Sequence, residues 1–242
     1  MPVTNLILLQ KILFNKTDNS MSETLNIEQL FPSAVKTYCC RVKDYTEELH
    51  PEETVIISKA IDKRRYEFSA GRFCTRKALQ QLGIDNCLLT QGENGEPIWP
   101  DQITGSISHS KKWAAAAVST TKDIMTIGFD IETVNRISSG ILKRIITDPE
   151  KEQLEKKDKQ KAQEYAALIF SAKEAIYKAL SSKYNGNLRF KDVSILCKNN
   201  SHEFEIQLNN GLKSFLKDMP LPLCKFMIHG NDIFTAITFP RK

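Results

Sequence analysis

In the stretch GFDIET, Asp130 and Glu132 stand two residues apart within a run of β-branched and apolar residues. Strand alternation puts both carboxylates on one face and Ile131 on the other. Like charges sharing one face of a half-buried strand repel each other. Water at a solvated strand end relieves that repulsion, and so does a hard divalent cation. Mg²⁺ takes one or two carboxylates and completes its shell with phosphate oxygens and water. Farther along, IFSAKEAIYKAL carries Lys173, Glu174 and Lys178 in an otherwise apolar run. Glu174 and Lys178 are neighbours on one helical face, which fits a surface ion pair contributing a few tenths of a kcal/mol. It fits equally a carboxylate and an ammonium aimed together at a substrate, and the stretch by itself does not choose. GSISHS sets Ser108 and His109 among small residues, where backbone can approach a ligand closely. Upstream, Arg64 and Arg72 are eight residues apart, nearly on one helical face. That spacing suits either a solvated cationic stripe or a bidentate grip on phosphate.

The elements that must hold these residues follow from local pattern. HPEETVIISKAIDKRRYEFSAGRFCTRKALQQLG reads as one helical segment. Pro51 suits its first turn, Glu52 and Glu53 favour its dipole, and Gly83 ends it. Gly71 inside that helix signals close packing or close approach of a ligand. QGENGEPIWPDQ, with Gln91, Asn94 and Glu96, is a glycine- and proline-built loop. GSISHS and WAAAAVS read as two strands joined at SKK, and IMTIGFDIETV as a third. Helices follow from about 141 to 182, then the strand-like runs VSILC, HEFEIQL, CKFMIH and DIFTAITF. Helices with mostly antiparallel strands give an α+β fold, with a boundary near Thr120–Asp123.

The chain has 242 residues and a net charge of +5, from 34 Lys and Arg against 29 Asp and Glu. That mild excess favours an acidic partner or a phosphate-rich ligand. The six cysteines form no CxxC and have no histidine at ligand spacing, so a zinc site or disulfide framework is not expected; reduced thiols in a cytoplasmic protein are. The run LILLQKILF is broken by Gln10 and Lys11 and lacks the flanks of a signal peptide, and no stretch is apolar enough for a membrane span.

The order KRRYEFSAGRFCTRKAL, GEPIWP, GSISHS, GFDIE, FSAKEAIYKA resembles the 4′-phosphopantetheinyl transferases of the surfactin-synthetase-activating type. The nearest look is to the branch that includes the enterobactin-synthase transferase component. The resemblance covers about 51–180. It implies a pseudo-dimer of two similar α+β halves, taken here as 1–122 and 123–242, with the active site in the cleft between them. It implies transfer of the 4′-phosphopantetheine arm of coenzyme A to a serine of an apo acyl or peptidyl carrier protein, releasing adenosine 3′,5′-bisphosphate. By residue, Asp130 and Glu132 match the family's metal ligands for Mg²⁺ or Mn²⁺, with the Ile131 carbonyl and Glu174 as further ligands. Glu174 is also assigned as general base and Lys178 as the cation at the leaving phosphate. Asp130, Glu174 and Lys178 thus also face the coenzyme. Ser108 and His109 match positions on coenzyme A phosphates, and Arg64 and Arg72 basic positions near the adenosine, with Arg65 and Arg76 as alternates. Asn94 and Glu96 stand in the nucleotide-facing loop, where relatives often carry lysine. A monomer is expected, with no nucleic-acid partner and no reactive cysteine.

Two other readings use the same residues. A metal-dependent phosphoesterase or nuclease would employ Asp130, Glu132 and Glu174 without a protein acceptor. A basic binding module would employ Arg64, Arg72 and KKDKQK on nucleic acid, with a steep salt dependence but no interleaved aromatic residues to stack on bases.

Overall fold

The computed structural model describes residues 24–181, 183–184, 188–198, 201–208 and 210–241; the apolar run 6–14 lies outside them. The first half contains β1 (Lys36–Arg41), α1 (Pro51–Ile56), α2 (Asp62–Gln80), β2 (Ile103–His109) and β3 (Trp113–Thr120). The second contains β4 (Ile124–Thr133), α3 (Ser139–Ile145), α4 (Asp148–Glu155), α5 (Lys159–Leu180), the hairpin β5 (Val193–Cys197) and β6 (Phe204–Leu208), α6 (Asn210–Leu216), β7 (Leu223–His229) and β8 (Asp232–Pro240). Their antiparallel sheets run β1-β3-β2 and β4-β8-β7. In each half the last strand lies between the first and the middle one, and a long helix covers one face of the sheet. The fold is α+β, built twice.

The segment from His50 to Gly83 is two helices rather than one. Ile57 ends α1 with its N–H on Thr54 and Val55, and Ile61 is extended before α2 starts. The break lets α1 turn its buried Glu53 toward Arg72 and Arg76 of α2. Gly83 does terminate the helical stretch, at φ +77°, where an L side chain would be strained. β1 carries no strong periodic signal, and the α6 helix interrupts a stretch that alternates like strand.

WAAAAVST is buried on both faces, which explains its lack of alternation. Ala114 and Ala116 pack with Ala70 and Cys74 of α2, while Trp113, Ala115 and Ala117 face the core between the sheets. In β4, Ile127, Phe129 and Ile131 enter that inter-sheet core with Phe234 and Ala236. Gly128, Asp130 and Glu132 therefore point the other way, toward α5. A Cβ on Gly128 would run into the Ala175 carbonyl, so glycine lets α5 lie directly against the strand that carries the acids. In the first half, Gly71 likewise marks close packing, with a Cβ there 3.1 Å from Ile107 Cγ2.

The two sheets meet along β2 and β4 through serine side chains. The Phe129 N–H donates to Ser106 Oγ at 3.0 Å, and the Ile131 N–H donates to Ser108 Oγ at 3.2 Å. The seam thus runs beside the acidic strand.

The six cysteines are free; Cys40 of β1 and Cys74 of α2 lie 3.4 Å apart. No helix among the described residues is long and apolar enough to cross a membrane.

Candidate active site

Asp130 sits where β2, β4 and α5 come together. Lys178 extends from the last turn of α5 and donates to Asp130 Oδ1 at 2.7 Å, to Ser108 Oγ at 3.0 Å and to the Phe129 carbonyl at 3.2 Å. Ser108 in turn donates to Asp130 Oδ1 at 2.9 Å. Lys178 therefore does not serve α5 as a helix staple; its three bonds cross to the seam between the halves. The apolar run of α5 makes this possible by seating the helix on β4 through Ala175 and Ala179.

The carboxylates around this point are under strain from burial and from one another. Asp130 is 5% exposed. Burial, and next the charge of Asp130, push Glu132 up to about 7, with Arg136 opposing. Burial and Asp130 also raise Glu174, and Lys178 opposes. Asp130 Oδ2 and Glu132 Oε2 are buried without a hydrogen-bond partner. Arg136 approaches Glu132 Oε2 only at 3.8 Å, with its side chain 59% exposed, which is a screened contact. Two desolvated acceptor oxygens with no donor, on one strand face, fit a hard divalent cation. Among the described residues, no three His, Cys, Asp or Glu side chains already converge as a closed metal cluster. The fit therefore rests on the β4 pair.

His109 ends β2 with its ring toward α2. Arg64 Nη1 lies 3.1 Å from its Nε2, and Glu67 Oε2 3.8 Å from its Nδ1. Burial, Arg64 and Lys178 hold the imidazole below its ordinary pKa, against Glu67 and Asp130.

The other expected residues are elsewhere. Arg72 is 4% exposed, stacked 4.5 Å from the Phe68 ring and 3.5 Å from Glu53 Oε1. That approach is an ion pair without a hydrogen bond, since Nε and Nη2 are buried and unpartnered. Burial lowers its pKa to about 10, with Glu53 opposing. Arg76 binds Glu53 at 2.9 Å and the Glu48 carbonyl. Asn94 and Glu96 bond each other, the Asn94 N–H donating to Glu96 Oε2 at 3.0 Å inside the loop turn. The side chain of Ile131 is buried in the inter-sheet core, so only its backbone is available to the acidic face.

Sequence reasoning missed the supports. Lys173, next to Glu174, is 3% exposed and donates to Glu150 Oε2 at 2.9 Å and to the Ile145 carbonyl at 2.6 Å. Burial lowers its pKa, and Glu150 opposes. Glu150 also accepts the N–H groups of Thr147 and Ile195, each at 2.8 Å. The legible signal was TDPE, a capping-box pattern, followed by a lysine in an otherwise apolar helix face. Glu67 and Ser106 gave no local signal.

Residues 51–119 match the model for the 4′-phosphopantetheinyl transferase N-terminal domain. Residues 126–223 match the model for the 4′-phosphopantetheinyl transferase superfamily. The chain is 37% identical to the 4′-phosphopantetheinyl transferase Npt of Nocardia iowensis, over 63% of this chain and 68% of that one. It is 36% identical to enterobactin synthase component D of Escherichia coli K12, over 55% of this chain and 62% of that one. Among solved structures, the holo-[acyl-carrier-protein] synthase of Neisseria meningitidis aligns over 49% of this chain and 99% of its own, at 21% identity and a TM-score of 0.42. With both halves matched in order and the Nocardia enzyme covered over two-thirds of its length, the chain belongs to the 4′-phosphopantetheinyl transferase family.

Proposed function

We propose that the chain moves the 4′-phosphopantetheine arm of coenzyme A onto a serine of an apo acyl or peptidyl carrier protein and releases adenosine 3′,5′-bisphosphate. One observation carries the reading: Lys178 and Ser108 meet on Asp130 Oδ1, while Asp130 Oδ2 and Glu132 Oε2 stay buried and unbonded beside them. Phosphoryl transfer depends on positioning and on charge stabilisation, and this arrangement supplies both.

Asp130 and Glu132 would hold Mg²⁺ or Mn²⁺, with Glu174 and the Ile131 carbonyl as further candidate ligands. When bound, the cation supplies Lewis-acid neutralisation of the diphosphate charge. Glu174, raised by burial and by Asp130, takes the proton of the carrier serine directly or through a water. Lys178 brings an ammonium to the same place and neutralises charge on the leaving phosphate. The Ser108 hydroxyl is engaged with Asp130 and Ile131, so Ser108 faces the coenzyme with its backbone. Arg64 and His109 form the phosphate-gripping edge, and Arg72 behind them is committed to Glu53. We place the boundary of the halves at 122/123, and we take the enzyme as a cytoplasmic monomer. The net charge of +5 suits carriers that are acidic around the modified serine.

The test is mass spectrometry of an apo carrier after incubation with coenzyme A and Mg²⁺. A mass gain of one phosphopantetheine on the carrier serine is expected. Cleaved coenzyme A beside an unchanged carrier would favour the phosphoesterase instead.

A further inference from the structure

A guanidinium has donors and no acceptor. The contact of 3.1 Å between Arg64 Nη1 and His109 Nε2 therefore has Arg64 donating and Nε2 offering its lone pair. The single proton of that neutral ring sits on Nδ1, which faces Glu67 Oε2 at 3.8 Å. The Glu67 side chain is 11% exposed, and its other oxygen has Lys63 at 3.7 Å. The charged groups facing the imidazole are Arg64 and Glu67 from α2, Lys178 from α5 and Asp130 from β4. Arg64 thus keeps the ring neutral from one side, while Glu67 waits as a counterion on the other.

We propose that Glu67 is a positioning residue that makes His109 take up a proton when a phosphate of coenzyme A engages Arg64. The inference rests on the coenzyme reading above. Arg64 binding a phosphate turns its N–H groups from Nε2 to phosphate oxygens, and the anion cancels the positive charge that opposed imidazole protonation. Nε2 then takes one proton from hydronium or a buffer acid: the N–H bond forms as the donor's bond to that proton breaks, the conjugate base leaves to solvent, and the new N–H donates to the phosphate. Glu67 stabilises the resulting imidazolium through Nδ1–H. The bound-state pKa lies above the free one, so the gain in affinity is full below the free pKa and fades as pH rises through the bound one.

The chain has four histidines, so nitrogen-15 NMR of the ring signals can follow His109 with little overlap. In the free protein at pH 7.5, the expected His109 signal is the neutral form with bare Nε2; adding coenzyme A with Mg²⁺ converts it to imidazolium. In Glu67→Gln the conversion requires a lower pH, and coenzyme affinity at pH 7.5 drops about tenfold, as for a bound-state shift of about one pKa unit. In His109→Gln the pH dependence of affinity loses the histidine's share and keeps that of the coenzyme phosphates. A ring that stays neutral on saturation, or a Glu67→Gln pH profile identical to wild type, overturns the proposal while leaving the transferase reading standing. No binding of coenzyme A by the wild type overturns both.

Discussion

Glu53 and Glu150 occupy the same place in the two halves. Each is fully buried in the first turn of a short, proline-containing helix, and each accepts the N–H of the residue preceding that helix. Each binds a cation 23 residues later on the following long helix, Arg76 in one half and Lys173 in the other. Each also accepts a distant backbone N–H, from Leu89 or Ile195. Five residues past that cation, Gln81 donates to the Thr37 carbonyl on β1, and Lys178 to the Phe129 carbonyl on β4. The strand residues that follow differ. Tyr38 and Cys40 pack under α2 with Phe73 and Cys74, at the places that Asp130 and Glu132 hold under α5. One frame, used twice, is filled with apolar groups in the first half and with charge in the second. The frame positions; in the proposed reaction, the side chains at two strand positions and one helix turn carry the chemistry, and the first half reaches the same seam through Ser108, with His109 and Arg64 beside it.

Substitutions should separate the frame from the charges. Asp130→Ala should lower transfer by at least about a thousandfold with the fold retained, checked by carrier mass and circular dichroism. Wild-type turnover in that variant would dissolve the distinction between the halves. Glu174→Gln should bind coenzyme A and transfer about a hundredfold more slowly or worse, with the deficit in the chemical step under single turnover.

The anchors should cost stability instead. Lys173→Met leaves Glu150 buried beside no cation and should destabilise by about 3–5 kcal/mol in urea unfolding. Arg76→Met should cost less, about 1–2 kcal/mol, because Arg72 remains beside Glu53. Equal losses would mean that Arg72 does not offset the charge of Glu53 once Arg76 is gone. The helix-seating glycines should differ in the same direction. Gly128→Ala must displace α5 from the Ala175 carbonyl and should cost about 1–3 kcal/mol together with activity. Gly71→Ala meets only a side-chain methyl at 3.1 Å, and its better helix propensity offsets the crowding to within about 1 kcal/mol.

Much of this was legible locally. β2, β4, β7 and β8 follow from β-branched runs and alternation, β3 from a short apolar run between turn signals, and the shared face of Asp130 and Glu132 from the period of a strand alone. The direction in which Lys178 reaches was not legible, since i,i+4 spacing names Glu174 as its neighbour while the seam of a second sheet supplies its bonds. Arg72 read as a phosphate grip because nothing near it in sequence reveals Glu53, which lies across a break between helices. β1 was not read because KTYCCR becomes a strand only by pairing with β3, more than seventy residues away. Burial of a glutamate is a tertiary fact, and its only local trace was the capping pattern.

The central claim is that the β4 acids and the Glu174–Lys178 turn of α5 act on one diphosphate. A crystal grown with coenzyme A and Mn²⁺, with the metal located by anomalous scattering, tests it most directly. The account predicts a peak coordinated by Asp130 and Glu132 and shared with diphosphate oxygens, with Lys178 on the same group. A coenzyme bound away from β4, or a metal site that omits both acids, would contradict it.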